Sequence, residues 1–245
     1  PVAKPYLSII IPAHNEENRL PVSLEKLKRF CAAQPYTSEV LVVENASSDN
    51  TLAVARAYQA QLPGLRVISL AEPGKGGAVR AGMLAAEGAY RFMADADFSM
   101  PVEEINRFLP PALPDCDVAI GSREVAGARR IGEPFYRHLI GRVFNGMVRL
   151  AALPGIQDSQ CGFKCFRAEA AQAVFSRQQL TGWSFDVEVL ALARTLGFSI
   201  REVPVTWVYD PGSRVNVVHD SALMARDLWR IHRALKRGVY RDPPL

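Results

Sequence analysis

The sequence predicts an α/β fold in which one doubly wound, mostly parallel sheet forms a single domain. Short, continuously apolar, β-branched runs recur along its first half, as expected of strands buried on both faces. Helical spacing fills the gaps between them in strict alternation, which implies right-handed βαβ crossovers. The length of 245 residues suits one large domain and is cramped for two.

Residues 7–11 read as the first strand, ended by Pro12, and similar runs follow at 40–43, 66–70, 90–94 and 118–120. Leu20, Leu24 and Leu27 share one face of a first helix, Leu52, Ala55 and Tyr58 mark a second, and residues 78–86 make a third. After Gly121 the pattern changes to a helix over 135–152, a short strand near 162–166, a helix over 185–196, a strand over 200–208 and a closing helix over about 221–236. No linker of Pro, Gly or Ser separates the halves. The expectation is one domain with a donor half (about 6–121), an acceptor half (about 122–215) and a terminal basic helix (about 219–238).

The composition, 49% hydrophobic and 22% charged, is that of a folded protein and excludes broad disorder. Cys31, Cys116, Cys161 and Cys165 form neither a CxxC pair nor a zinc pattern, so reduced thiols in a cytosolic chain are expected. No stretch approaches the roughly 18–20 apolar residues that cross a bilayer, and no signal peptide precedes the first strand. The net charge is +4, with six Lys or Arg against three acids from His219 onward. Charge alone fits nucleic acid or anionic lipid equally; the tail lacks aromatic interleaving, which argues against nucleic acid.

Asp95-Ala96-Asp97 closes the strand at 90–94. Two carboxylates one residue apart at a carboxyl edge of the sheet can converge on a hard divalent cation that also grips a diphosphate; equally, aspartates often simply end strands. Neighbouring strand ends deliver Pro12-Ala13-His14-Asn15-Glu16 and Glu44-Asn45. Ser48 and Asp49 have the position of helix caps, whereas Glu44 lies too early to cap and is placed to accept from a base N–H or a ribose hydroxyl. Gly74-Lys75-Gly76-Gly77 is neither GxGxxG nor a P-loop; it is either a plain turn or a helix N-terminus that receives anionic oxygens.

In order, P-x-x-N-E, an acidic strand end before A-S-S-D-N-T, G-K-G-G-A and D-x-D resemble glycosyltransferase family 2, whose fold is GT-A, the nucleotide-diphospho-sugar transferase type. Glu44-Asn45 stands where that family usually has two aspartates. Gly121-Ser122-Arg123, residues 158–164, Trp183-Ser184-Phe185-Asp186 and Gly212-Ser213-Arg214 are similar to its polyprenyl-phosphate branch, more to the glucosyl than to the mannosyl members. The resemblance implies an inverting transfer of a hexose from a nucleoside diphosphate sugar, UDP-glucose ahead of GDP-mannose, to a polyprenyl or dolichyl phosphate.

It also implies roles. Asp95 and Asp97, with Ser99, would hold Mg²⁺ or Mn²⁺. Pro12, Ala13, His14, Asn15, Glu16, Glu44, Asn45, Lys75, Asp95 and Ala96 would bind the nucleotide sugar, and Arg123, Arg137, Lys164, Ser213 and Arg214 the acceptor phosphate. Asp97, Asp158 and Asp186 are the catalytic candidates, the last two either as base or as orienters of the cations. A phosphate monoester with a second pKa of about 6 is largely dianionic near neutrality, so a strong base is dispensable.

Met224, Leu228, Ile231 and Leu235 repeat at helical spacing, and Arg226, Arg230, Arg233 and Arg237 follow two residues, or about 200°, later. Such opposed stripes suit either an interfacial helix on a membrane or a helix packed on its own protein. The lipid acceptor favours the membrane, placing the protein peripherally on a cytoplasmic face. The helix over 135–152 is a second candidate for lipid contact or self-association. The rival expectations are a non-lipid acceptor and a catalytically silent sugar-nucleotide-binding module.

Overall fold

The computed structural model describes residues 4–114, 116–210 and 217–241, with side chains at 217–222 and 241 left out. Strands β1 (Leu7–Ala13), β2 (Ser38–Asn45), β3 (Leu65–Leu70), β4 (Tyr90–Met93) and β5 (Val118–Ser122) coincide with the five apolar runs. Helices α1 (Leu20–Ala32), α2 (Thr51–Tyr58) and α3 (Lys75–Ala85) fill the first three crossovers. Then come β6 (Arg129–Ile131), α4 (Phe135–Ala151), β7 (Lys164–Arg167), α5 (Ala168–Phe175), α6 (Phe185–Thr195), β8 (Ile200–Pro204), β9 (Thr206–Val208) and α7 (Val217–Arg237).

The main sheet runs β3-β2-β1-β4-β7-β5-β8. All its pairings are parallel except those of β7, which lies antiparallel between β4 and β5. Helices cover both faces, so successive strand residues enter opposite cores: Ile9, Ile11, Val40 and Val42 join α1 on one side, while Ile10, Leu41 and Val43 join α3, α5 and α6 on the other. This is why the strands read as unbroken apolar runs rather than alternating ones.

Two sequence expectations change. The single strand over 200–208 is two: β8 pairs with β5, the chain switches sheets at Val205, and β9 joins β6 in a small parallel pair. Pro204 at the end of β8 has no N–H to continue the ladder, and the Val205 carbonyl instead accepts from Arg129 N–H at 3.0 Å. On α7, Leu228 and Ile231 are buried in the second core and Met224 and Leu235 pack against it. The apolar stripe is therefore spent on the protein itself, about 2 kcal/mol for each fully buried aliphatic side chain, and the basic stripe faces outward.

The helix that keeps an apolar face outward is α4. Phe144 and Val148 anchor it to the core, while Phe135 (79% exposed), Leu139, Val143 and Leu150 (91% exposed) form a stripe in solvent. Among the described residues no helix is long and apolar enough to cross a membrane.

Candidate active site

The loops after β1 and β2 are stitched together where the sheet ends. Asn15, at φ +54°, donates its N–H to Ser47 Oγ (3.1 Å) and accepts from Ser48 N–H (2.7 Å). His14 Nδ1 lies 2.7 Å from the Asn45 carbonyl oxygen. In the amide orientation that satisfies both its groups, Asn45 donates to the Ala13 carbonyl (2.7 Å) and accepts from Gly74 N–H (2.9 Å). Asp49 accepts from Thr51 N–H at 2.9 Å, bracing the start of α2, and from Glu17 N–H.

A cavity of about 310 Å³ opens over this edge, with Pro12, His14, Glu16, Asn45, Lys75 and Ala96 among its walls. Ala13, Asn15 and Glu44, expected at the nucleotide, do not line it. Glu44 is turned inward, 3% exposed, accepting from Ser47 N–H (2.6 Å) and the Ser69 hydroxyl (2.7 Å). Burial opposes its charge, yet these hydrogen bonds hold the carboxyl below its ordinary range. Its place is in the turn, where it shapes the loop carrying Asn45.

The glycine turn before α3 also differs from expectation. The N–H groups of Gly76 and Gly77 donate to the Thr181 carbonyl (2.8 and 3.3 Å), so these donors of the first turn are not available to an anion. What reaches the cavity is the Lys75 side chain, whose Nζ sits 2.6 Å from Asp95 Oδ1.

Asp95 and Asp97 lie where this cavity meets a second, of about 260 Å³. Asp95 is pressed against Gly162, where any Cβ would overlap its carboxylate. Burial disfavours its charge, but the Lys75 ammonium prevails and keeps the carboxyl below the usual value. Asp97 Oδ1 accepts from Ser99 N–H (3.0 Å). Among the described residues Asp97 has no ion-pair partner, and burial, followed by the charge of Asp95, raises its pKa.

The second cavity adds Arg123, Arg137 and Asp186 and carries an apolar wall of Ile140, Phe144 and Met224. Arg123 forks onto Asp158 through Nε (2.7 Å) and Nη2 (2.9 Å), with its guanidinium 5.4 Å from the Trp207 ring centroid. Asp158 is wholly buried, with both oxygens engaged, and does not line the cavity. Burial alone would raise its pKa; Arg123 brings it down to about 2. A folded-state value below the ordinary 3.8 means that the pair stabilises the protein fully above about pH 4 and stops doing so as pH falls toward 2. The stability difference between wild type and Asp158→Asn should therefore shrink over that window in acid-unfolding curves.

Lys164, expected at the acceptor phosphate, is also sealed off. Completely buried, it donates to Asp186 Oδ1 and to the Cys161 carbonyl, both at 2.6 Å. It holds Asp186, which touches the cavity, and burial pushes the Asp186 carboxyl above its usual range despite that partner. Ser213 and Arg214 lie outside the described residues.

Sequence reasoning missed Arg19, Trp183 and Trp207. Arg19 lines the first cavity, forks onto both Glu16 oxygens (2.7 and 2.8 Å) and reaches Asp210 (2.9 Å). Its i,i+3 spacing from Glu16 was the available signal. Trp183 was seen as part of a motif, but no spacing shows that it lies between the cavities.

A mostly parallel sheet crossed by one antiparallel strand, with paired aspartates at its carboxyl edge, is the GT-A architecture. Over 94% of the chain it matches the solved structure of glucosyl-3-phosphoglycerate synthase from Mycobacterium tuberculosis in complex with uridine-diphosphate, at TM-score 0.68 and 19% identity, covering 80% of that chain. The same synthase with Mn²⁺, UDP-glucose and phosphoglyceric acid gives 0.67 at 18% identity, over 94% of this chain and 79% of that one. The chain belongs to glycosyl transferase family 2, whose profile matches residues 8–175. It is a glycosyltransferase, similar to the dolichyl-phosphate beta-glucosyltransferases of Drosophila melanogaster (37% identical, 96% of this chain, 77% of that protein) and Homo sapiens (34%, 96% and 77%). The enzyme of that name from Dictyostelium discoideum is 32% identical over 98% of this chain and 78% of its own length.

Proposed function

We propose that this protein transfers glucose from UDP-glucose to a polyprenyl phosphate such as dolichyl phosphate, with a divalent metal, at a membrane surface. The observation that carries the reading is the meeting of two cavities at Asp95 and Asp97, one bounded by His14 and Asn45 and the other by arginines and an apolar helix. The relatives' activity supports the choice of sugar and acceptor. On this reading residues 6–121 serve the donor and the later segments the acceptor.

The residues fit a hard cation. Among the described residues no group of three or more His, Cys, Asp or Glu side chains converges, and the donors here are carboxylate oxygens. One or two carboxylates, with remaining ligands from substrate phosphate, is the usual provision for Mg²⁺ and suits Mn²⁺. Asp97, half-buried and without an ion-pair partner among the described residues, would hold the metal, and Asp95, fixed by Lys75 and Gly162, would flank it. When bound, such an ion neutralises charge on the departing diphosphate.

The chain's own groups do the rest. Pro12, His14 and Asn45 wall the nucleotide, and Lys75 faces its diphosphate. Arg123 and Arg137 hold the acceptor phosphate toward the sugar, Arg123 in the orientation that Asp158 imposes. The acceptor, largely dianionic near neutral pH, attacks without a strong general base. Asp158 and Asp186, each bonded to a cation, act as orienters.

The membrane contact falls to α4. Its stripe of Phe135, Leu139, Val143 and Leu150 adjoins Ile140 and Phe144 of the acceptor cavity, and beside the stripe on the same helix lie Arg149 and Arg142, the latter 3.4 Å from Glu124. An apolar face rimmed by cations suits anionic bilayers. The four unpaired cysteines fit a reducing compartment, hence a cytoplasmic face. Flotation with vesicles containing anionic lipid should carry the wild type upward and leave Leu139→Asp/Val143→Asp behind; equal flotation of both would remove α4 from the contact.

Donor choice is tested by thermal unfolding. With Mn²⁺, UDP-glucose should raise the midpoint by several degrees and more than GDP-mannose, as binding at a hundredfold excess over Kd adds about 2.7 kcal/mol. Stabilisation by GDP-mannose alone would contradict the choice of donor.

A further inference from the structure

Resting on the donor reading above, we propose that Trp183 is the surface on which the transferred sugar stacks, between leaving diphosphate and acceptor. The two cavities share Lys75, Asp95, Asp97 and Trp183 among their lining residues. A sugar linked to a diphosphate in the first cavity and attacked from the second must occupy that junction. Three of the four shared side chains are charged, and they serve the hydroxyls, the phosphates or a cation. Trp183 alone offers an apolar face.

The position of the indole is not explained by core packing. It is 42% exposed and belongs to neither buried core, although a large aromatic ring gains most from burial. Its position is nevertheless fixed from behind. The Thr181 carbonyl accepts from Gly76 and Gly77, Gln178 donates to the Gly76 carbonyl (2.9 Å), and Glu188 accepts from the N–H groups of Gln179 and Leu180 (Leu180 at 2.8 Å). The loop before α6 is thus bolted to the start of α3, so Trp183 moves with Lys75, whose ammonium lies 5.3 Å from its ring centroid.

An aromatic face carries negative charge density and attracts polarised C–H groups as it attracts the ammonium. A pyranose ring whose hydroxyls are equatorial presents its axial C–H bonds as an apolar face of that kind. Stacking would orient the anomeric carbon toward Arg123 and Arg137 and keep water from the junction.

The test separates sugar from nucleotide. Calorimetric titration with UDP and with UDP-glucose, both with Mn²⁺, is applied to wild type, Trp183→Ala and Trp183→Phe. Trp183→Ala should bind UDP-glucose about tenfold more weakly while its affinity for UDP stays within about twofold, and Trp183→Phe should recover most of the loss. Were Trp183 acting only through Lys75, UDP affinity would fall equally; that result, or no change for either ligand, overturns the assignment. If the wild type binds neither ligand, the donor reading itself fails and the assignment falls with it. Tight binding of both by wild type with unaltered UDP-glucose binding by Trp183→Ala rejects the stacking role alone.

Discussion

Asp97→Ala should lower sugar transfer by roughly 10³-fold or more and leave the fold intact, which turnover and thermal unfolding together check. The effect is large because Asp97 is the carboxylate of the pair without an ion-pair partner among the described residues, whereas Asp95 already has Lys75 at 2.6 Å. Stability should not suffer. Burial and the neighbouring charge of Asp95 both oppose ionisation of Asp97, so removing its carboxylate relieves repulsion in the metal-free protein. A variant that stays folded and transfers glucose at the wild-type rate would detach the chemistry from this strand end.

Lys164→Met should cost about 3 kcal/mol of unfolding free energy, read from chemical denaturation. The ammonium is fully buried and neutralises Asp186, so its loss leaves a buried carboxylate without its bonded cation. The double change Lys164→Met/Asp186→Leu should regain much of that stability, because two charges that no longer need desolvation are replaced by shapes that pack. Unchanged stability in the single variant would mean that the pair is not buried as described. The double variant also separates roles: if it keeps acceptor affinity, neither residue touches the phosphate.

The first half of the fold was legible because the strands, apart from the half-exposed edge strand β3, are covered on both faces and the crossover helices carry apolar stripes. The five apolar runs became β1 to β5 with shifts of no more than two residues at their ends. β7 was harder. Its direction cannot be read from a run as short as Phe163 to Phe166, and its antiparallel insertion between β4 and β5 depends on contacts distant in sequence. The break at Val205 was hidden because both flanking segments are strand-like, and only the partners on either side distinguish β8 from β9.

At the site, motif positions located the carboxyl edge of the sheet but did not say which way a side chain points. Asp95, Asp97, Lys75, Arg123 and Arg137 face the cavities; Glu44, Asp158 and Lys164, equally polar and equally close in sequence to motif residues, are turned into the protein by hydrogen bonds to Ser47, Arg123 and Asp186. The periodicity of α7 was read correctly as two opposed stripes, yet periodicity cannot say whether lipid or protein covers the apolar one. Leu228 and Ile231 answer that question by their burial, and α4, with its apolar face uncovered, takes over the membrane role in the proposal.

In the proposed reaction glucose passes from a nucleotide held over Asp95 and Asp97 to a lipid phosphate held by Arg123 and Arg137. Incubation with UDP-glucose labelled in the sugar, Mn²⁺ and a polyprenyl phosphate, followed by phase extraction, measures that passage directly. Label should move to the organic phase, stop when the metal is chelated and stay in the aqueous phase with Asp97→Ala. Label that remains aqueous with the wild-type protein, despite bound UDP-glucose and polyprenyl phosphate in excess, would contradict it.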